Sequence, residues 1–266
     1  MLDTLPPARR RFVVVLAVLV LAAAVAVGVV AWTSRETATV PVSQATQGPV
    51  LLVPGYGGST RSLQVLAAAL ERAGRDVVVV RLAGDGRGDL DEQAQVLDEA
   101  ADDALDRTGA GSVDVVGFSA GGVTARLWVR DHGGGSVARR VVTLGSPHHG
   151  TDLAALAGSL APDSCPVACR QLAPGSDLLN ALNAGDETPL GPLWVSIWTT
   201  DDQTVVPPSS AELDGALEFT IQSVCPRAVV AHGDLPRTPA VMAAALAQLG
   251  TGDPAVPGIE VCTATP

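Results

Sequence analysis

The sequence contains no lysine, so its 17 basic side chains are all arginines, and they are thinly scattered. Its 28 acidic residues outnumber them and give a formal net charge of −11. Binding to nucleic acid depends on clustered cations that displace counterions from phosphates. The charge pattern therefore argues against a nucleic-acid partner.

Histidine and cysteine are scarce, with four of each. The cysteines lack the paired two-residue spacing and the nearby histidines of structural zinc sites, and no calcium-site motif is present, so we expect no metal or other cofactor. The sequence also lacks internal repeats. A length of 266 residues with 47% apolar residues then predicts one large domain.

The first 34 residues predict a membrane or export segment. Arg9, Arg10 and Arg11 precede an uninterrupted apolar run from Phe12 to Ala31. About 20 such residues can cross a bilayer as a helix, and the basic flank predicts that everything downstream lies outside. The run is either a single-pass anchor in the cell membrane or a long signal peptide that is cleaved from a secreted protein. Its length favours the anchor, because cleavable cores are usually about 7–15 residues long.

The cysteines agree with export, because all four lie beyond the apolar segment and form an even set. Two disulfides are the simplest expectation. Of the three pairings, we favour Cys165 with Cys169, which closes a small loop, and Cys225 with Cys262, which ties down the C-terminal tail.

The rest of the chain predicts a linker at residues 35–48 and a catalytic domain at 49–266. Short β-branched runs alternate there with helical patterns, as in a mostly parallel α/β sheet of about six strands flanked by helices. The predicted strands are 50–53, 76–82, 113–117, 140–144, 194–199 and 219–224. The predicted helices are 61–73, 90–107, 120–131 and 239–249. Residues 150–193 interrupt this alternation of strands and helices as a long irregular insertion. The insertion is either a lid over the site or a segment without a functional role.

A Gly-x-Ser-x-Gly motif spans Gly117 to Gly121. An apolar run leads into it and a helical pattern leaves it, which is the strand-turn-helix context that exposes a nucleophilic serine. Ser119 is therefore the candidate nucleophile. A reacting ester or amide then needs backbone N–H donors for its oxyanion. Ala120 follows the nucleophile, and the loop of Gly55 and Tyr56 follows the first strand, so Tyr56 and Ala120 are the candidate donors.

The candidate base is a histidine that follows an orienting acid in the chain, the order expected for this motif. His132 ends a predicted helix, and His148 and His149 precede every plausible acid, whereas His232 comes last. Asp201 and Asp202 directly follow the predicted strand 194–199. One of them is therefore the acid that orients His232.

These motifs resemble the secreted bacterial lipases and esterases of the α/β-hydrolase superfamily, from about Val50 to His232. The resemblance rests on four runs: VPGYGG from Val53, VDVVGFSAGG from Val113, VTLGSPHHGT from Val142 and TTDDQTVVP from Thr199. It implies the α/β-hydrolase fold, Asp202 as the acid, and His148 and His149 as supporting residues near the site.

Together, the residues and the resemblance predict a carboxylic ester hydrolase that acts on lipid or acyl esters outside the cytoplasm. Its triad would be Ser119, Asp202 and His232, with Gly55, Gly117 and Gly121 supporting it. Two alternatives remain open: an acyltransferase that uses the same acyl-enzyme, and a catalytically inactive binding module on the same fold.

Overall fold

The computed structural model describes residues 42–264. The predicted anchor or signal segment lies outside this range. Within the described part, no helix is long and apolar enough to cross a membrane.

Six strands form a single sheet in the order β2-β1-β3-β4-β5-β6, and every neighbouring pair is parallel. The strands are β1 (Val50–Val53), β2 (Val77–Val79), β3 (Val113–Phe118), β4 (Ala138–Leu144), β5 (Leu193–Trp198) and β6 (Leu217–Thr220). The central strands are buried on both faces, as a sheet covered by helices requires. The predicted α/β fold and the number of strands are confirmed.

Eight α-helices lie in the described part of the chain. They are α1 (Arg61–Arg72), α2 (Leu90–Thr108), α3 (Ala120–Asp131), α4 (Asp152–Leu160), α5 (Val167–Gln171), α6 (Asp177–Leu182), α7 (Ile221–Val224) and α8 (Pro239–Gln248). The apolar sides of α1 and α8 belong to one hydrophobic cluster, and those of α2 and α3 belong to a second cluster. The sheet therefore lies between two helical layers, each of which covers one apolar face.

The chain departs from the prediction after β6 and in the insertion. Residues 221–224 form α7 rather than the end of a strand, because the Thr220 side chain accepts the N–H of Ser223 and starts a helical turn. Buried Ile221 and Val224 gave this stretch the composition of a strand. The insertion at 150–193 is not irregular, since it contains α4, α5 and α6.

Residues 42–48 are bound to the folded body, although they fell within the predicted linker. Gln44 Nε2 donates to the Arg139 carbonyl at 3.1 Å, and Gln47 Nε2 donates to the Leu249 carbonyl at 2.7 Å. The Gly48 carbonyl accepts from Arg75 at 2.8 Å. The body therefore begins upstream of residue 49.

The four cysteines form the two predicted disulfides. Cys165 and Cys169 lie in the insertion, between the end of α4 and the middle of α5. Cys225 and Cys262 join the end of α7 to the C-terminal tail.

Candidate active site

Ser119 lies in the sharp turn between β3 and α3. Its backbone has φ 54° and ψ −127°, and it is the one non-glycine residue among 42–264 with a positive φ. Such a conformation is strained and persists only where its surroundings enforce it. A Cβ at Gly117 would lie 2.6 Å from the Gly122 Cα, and one at Gly121 would overlap the Val53 carbonyl. The two motif glycines therefore allow strand and helix to pack closely at this turn.

His232 connects Ser119 to an acid. Its Nε2 lies 3.0 Å from Ser119 Oγ and its Nδ1 lies 2.7 Å from Asp202 Oδ2. The residue begins a 3₁₀ turn, His232–Arg237, and the Phe118 ring packs against the imidazole with centroids 5.1 Å apart. Three separate parts of the chain thus form one hydrogen-bonded row of side chains.

Asp202 and Asp201 point in different directions. Asp202 is buried, and its Oδ1 accepts the N–H groups of Thr204 and Val205, each at 2.8 Å. Its other oxygen is left for His232. Asp201 Oδ2 instead accepts the Val230 N–H at 3.1 Å. The structure therefore places Asp202, and not Asp201, against the imidazole.

Gly145, at the end of β4, borders the same pair and was missed from the sequence. Its φ is +56°, and an added Cβ would lie 3.4 Å from both Asp202 Oδ2 and His232 Nδ1, and 2.5 Å from Leu235 Cδ1. Gly145 has a positive φ that L side chains rarely adopt, and an added Cβ would be in van der Waals contact with both Asp202 and His232. The signals in the sequence were a glycine directly after a predicted strand and its place in the VTLGSPHHGT run.

The loop after β1 and the start of α3 both border Ser119. A Cβ at Gly55 would lie 2.8 Å from the Ser119 Cβ, and Tyr56 lines a cavity together with Ser119. Ala120 occupies the first position of α3, where a backbone N–H has no partner within the helix. Both candidate donors therefore belong to segments that contact Ser119.

His148 and His149 lie apart from this row. His148 is completely buried, and its Nε2 lies 3.1 Å from Thr143 Oγ1. Burial, assisted by the positive charge of Arg126, holds the pKa of His148 well below its usual value. His149 Nε2 lies 2.9 Å from Glu187 Oε1 on the partly exposed side of the insertion. Neither histidine bonds to Ser119, Asp202 or His232, and it is the preceding Pro147 that borders the cavity.

The cavity beside Ser119 has a volume of about 250 Å³. The insertion supplies most of its apolar wall through Leu153, Ala154, Ala157, Cys169 and Leu172. Of these, the sequence had singled out only Cys169, and as a disulfide partner rather than as a cavity residue. Val205, three residues after Asp202 in the sequence, also lines the cavity. A larger groove of about 540 Å³ lies elsewhere, between the C-terminal tail and the segment before His232.

This arrangement can activate a hydroxyl group. Ser119 Oγ can pass its proton to His232 Nε2 while it attacks an electrophilic carbon, and buried Asp202 holds the imidazole with Nδ1–H towards itself.

Comparison with known proteins identifies the fold. A family model described as the α/β hydrolase fold matches residues 48–163. This match, with the six-stranded parallel sheet, shows that the chain has the α/β-hydrolase fold. The α/β-hydrolase fold that the resemblance implied is confirmed.

Solved structures with a similar fold include Aspergillus fumigatus lipase B, at TM-score 0.64 and 20% identity over 83% of this chain. The chain covers 58% of that protein's length. Bacillus licheniformis lipase BlEst2 in its mature form is similar at TM-score 0.54 and 19% identity, covering 68% of this chain and 86% of that one. The lin2722 gene product of Listeria innocua reaches TM-score 0.51 at 17% identity, covering 74% and 91%.

Proposed function

We propose that this protein is a carboxylic ester hydrolase with Ser119 as nucleophile, His232 as general base and Asp202 as the orienting acid. The observation that carries the proposal is the row of hydrogen bonds from Ser119 Oγ to His232, 3.0 Å, and from His232 to Asp202, 2.7 Å. The strained backbone of Ser119 supports it, because strain of this kind concentrates at functional sites.

The reaction proceeds through an acyl-enzyme. Ser119 Oγ attacks the ester carbonyl carbon while His232 Nε2 takes its proton, and the same nitrogen then returns a proton to the leaving alkoxide. Water attacks the acyl carbon in the second half while His232 Nε2 takes its proton. The bond to Ser119 Oγ then breaks, His232 returns the proton to that oxygen, and the carboxylic acid is released. The N–H groups of Tyr56 and Ala120 stabilise the oxyanion in both halves.

The cavity supports the proposed class of substrate. Its lining is mainly apolar and it begins at Ser119 itself, so it suits the acyl chain of a lipid or other acyl ester. The lipase names of two proteins with a similar fold agree with this choice.

The cellular location proposed here is outside the cytoplasm. Two disulfides support it, because disulfides persist in oxidising compartments. The predicted anchor or signal segment, which lies outside the described residues, would deliver the catalytic domain there.

The proposal is tested with the full chain, purified in mild detergent, on p-nitrophenyl esters of increasing acyl length. We expect turnover that depends on Ser119 and shifts towards short acyl chains in Ala157→Trp, because the added ring fills the cavity. Ala155→Trp is the matched control, since Ala155 is an exposed residue of the same helix. An absence of ester turnover in the wild type, or equal turnover in Ser119→Ala, would contradict the proposal.

A further inference from the structure

Gln222, in the short helix α7, joins the end of β5 to the segment that precedes His232. Its Nε2 donates to Thr199 Oγ1 at 2.8 Å and to Asp201 Oδ2 at 3.1 Å, and lies 3.5 Å from the Ala228 carbonyl. Its Oε1 accepts the Thr200 N–H at 3.1 Å. One side-chain amide therefore uses both its donor and its acceptor ends to link two segments.

The acceptors of Gln222 in turn hold Val230. Asp201 Oδ2 accepts the Val230 N–H at 3.1 Å, and Thr199 Oγ1 donates to the Val230 carbonyl at 2.8 Å. Both backbone groups of Val230 are thus bound from the end of β5. We call Thr199, Asp201 and Gln222 the β5 clamp.

His232 lies only two residues beyond Val230, so the clamp constrains the backbone position from which the imidazole extends. The opposite side of this segment faces the groove of about 540 Å³, and neighbouring Val229 is 90% exposed. The segment is therefore held mainly from its inner side. The Cys225–Cys262 disulfide fixes its other end.

We propose that Gln222 is a positioning residue for catalysis, which sets the distance between His232 and Ser119 through Asp201 and Val230. The inference rests on the proposed function, because it assumes that His232 is the base. Gln222 does not border the cavity that contains Ser119. Its loss should therefore change kcat and leave KM nearly unchanged.

Gln222→Ala should lower kcat by about 10²-fold, the effect expected when a reacting group is misplaced by about 1 Å. Ser223→Ala is the matched control in the same short helix, because Ser223 Oγ donates to the Thr220 carbonyl instead. The control should keep kcat within about twofold of wild type, because Ser223→Ala should not displace His232 and so should not cause the loss that misplacement causes.

Gln222→Glu separates positioning from a merely structural role. The new carboxyl would face the carboxylate of Asp201, and the like charge would raise the pKa of the new carboxyl. While protonated it can donate to Asp201 as the amide does, and once ionised it repels Asp201. The ratio of variant to wild-type kcat/KM should therefore fall as the pH rises.

A direct readout of the imidazole accompanies the kinetics. The proton between His232 Nδ1 and Asp202 should give a strongly downfield NMR signal in the wild type and Ser223→Ala, and a broadened signal in Gln222→Ala. If Gln222→Ala fails to fold, the positioning role is tested by Gln222→Glu instead, through the pH dependence of its kcat/KM relative to wild type and through its NMR signal.

The positioning role is overturned if the Gln222→Glu ratio is independent of pH, or if folded Gln222→Ala keeps wild-type kcat and a sharp signal. A wild type without ester turnover contradicts the proposed function instead, and the NMR comparison then still tests the clamp.

Discussion

Asp202 Oδ2 lies 2.7 Å from His232 Nδ1, whereas Asp201, one residue earlier, turns its carboxylate to the Val230 amide. Only one carboxylate of the Asp201–Asp202 pair therefore contacts the His232 imidazole.

Replacing Asp202 by Asn should abolish most activity without unfolding the protein. An amide can no longer hold the imidazole in the required tautomer, and the expected loss in kcat is on the order of 10⁴-fold. Asp201→Asn keeps an oxygen that can accept the Val230 N–H, so its loss in kcat should stay within about tenfold, as for one weakened positioning hydrogen bond.

Ester hydrolysis and thermal melting of both variants test this assignment. If Asp201→Asn is the inactive variant and Asp202→Asn resembles wild type, with both folded, the orienting acid is Asp201 and the assignment is wrong.

His148 should make stability depend on pH. Its pKa in the folded protein is held well below its ordinary value, first by burial and then by Arg126 and His149. Below about pH 6.5 the unfolded chain therefore takes up a proton that the folded chain does not, and stability falls as the pH falls. Between pH 7 and pH 5.5, this residue should cost about 1 kcal/mol of unfolding free energy.

The matched variant is His148→Gln, which keeps a donor for Thr143 and does not titrate. Urea unfolding at the two pH values should show a smaller drop for the variant than for the wild type. Equal drops would mean that His148 takes up a proton in the folded protein as readily as in the unfolded chain.

The two disulfides should differ in their effect on stability. Cys225–Cys262 joins residues 37 apart and Cys165–Cys169 joins residues 4 apart. On a loop-entropy estimate, the first stabilises by about 4 kcal/mol and the second by about 2 kcal/mol. Calorimetry of the two double Cys→Ala variants checks this order, and a larger loss for the Cys165–Cys169 pair would be inconsistent with it.

Much of the fold could be predicted because short β-branched runs alternate with helical patterns along the chain. The predicted bounds of β1 and α3 match those observed, 50–53 and 120–131. Residues 221–224 could not be separated from a strand on composition alone. The Ser223 N–H donates to Thr220 Oγ1 and the Cys225 N–H donates to the Ile221 carbonyl, which closes a helical turn. Apolar periodicity does not report such bonds.

The candidate site was predictable where chain order and local context constrain it, as for Ser119 and His232. Gly145, Gln222 and the cavity wall depend on which segments meet in space. The same limit applies to His148 and His149, whose place in the VTLGSPHHGT run implied closeness to the site but not the direction of their side chains. One turns into the core and the other turns towards Glu187.

The central claim, that Ser119 is an activated nucleophile, is tested most directly by labelling with a fluorophosphonate followed by peptide mass spectrometry. The full-length wild type should carry one adduct, on Ser119, because an activated serine attacks phosphorus as it attacks an ester carbonyl. Ser119→Ala should carry none, and Ser164→Ala, which removes another hydroxyl from the cavity lining, should label like wild type. An adduct that persists in Ser119→Ala, or a folded wild type that does not label, would contradict the account.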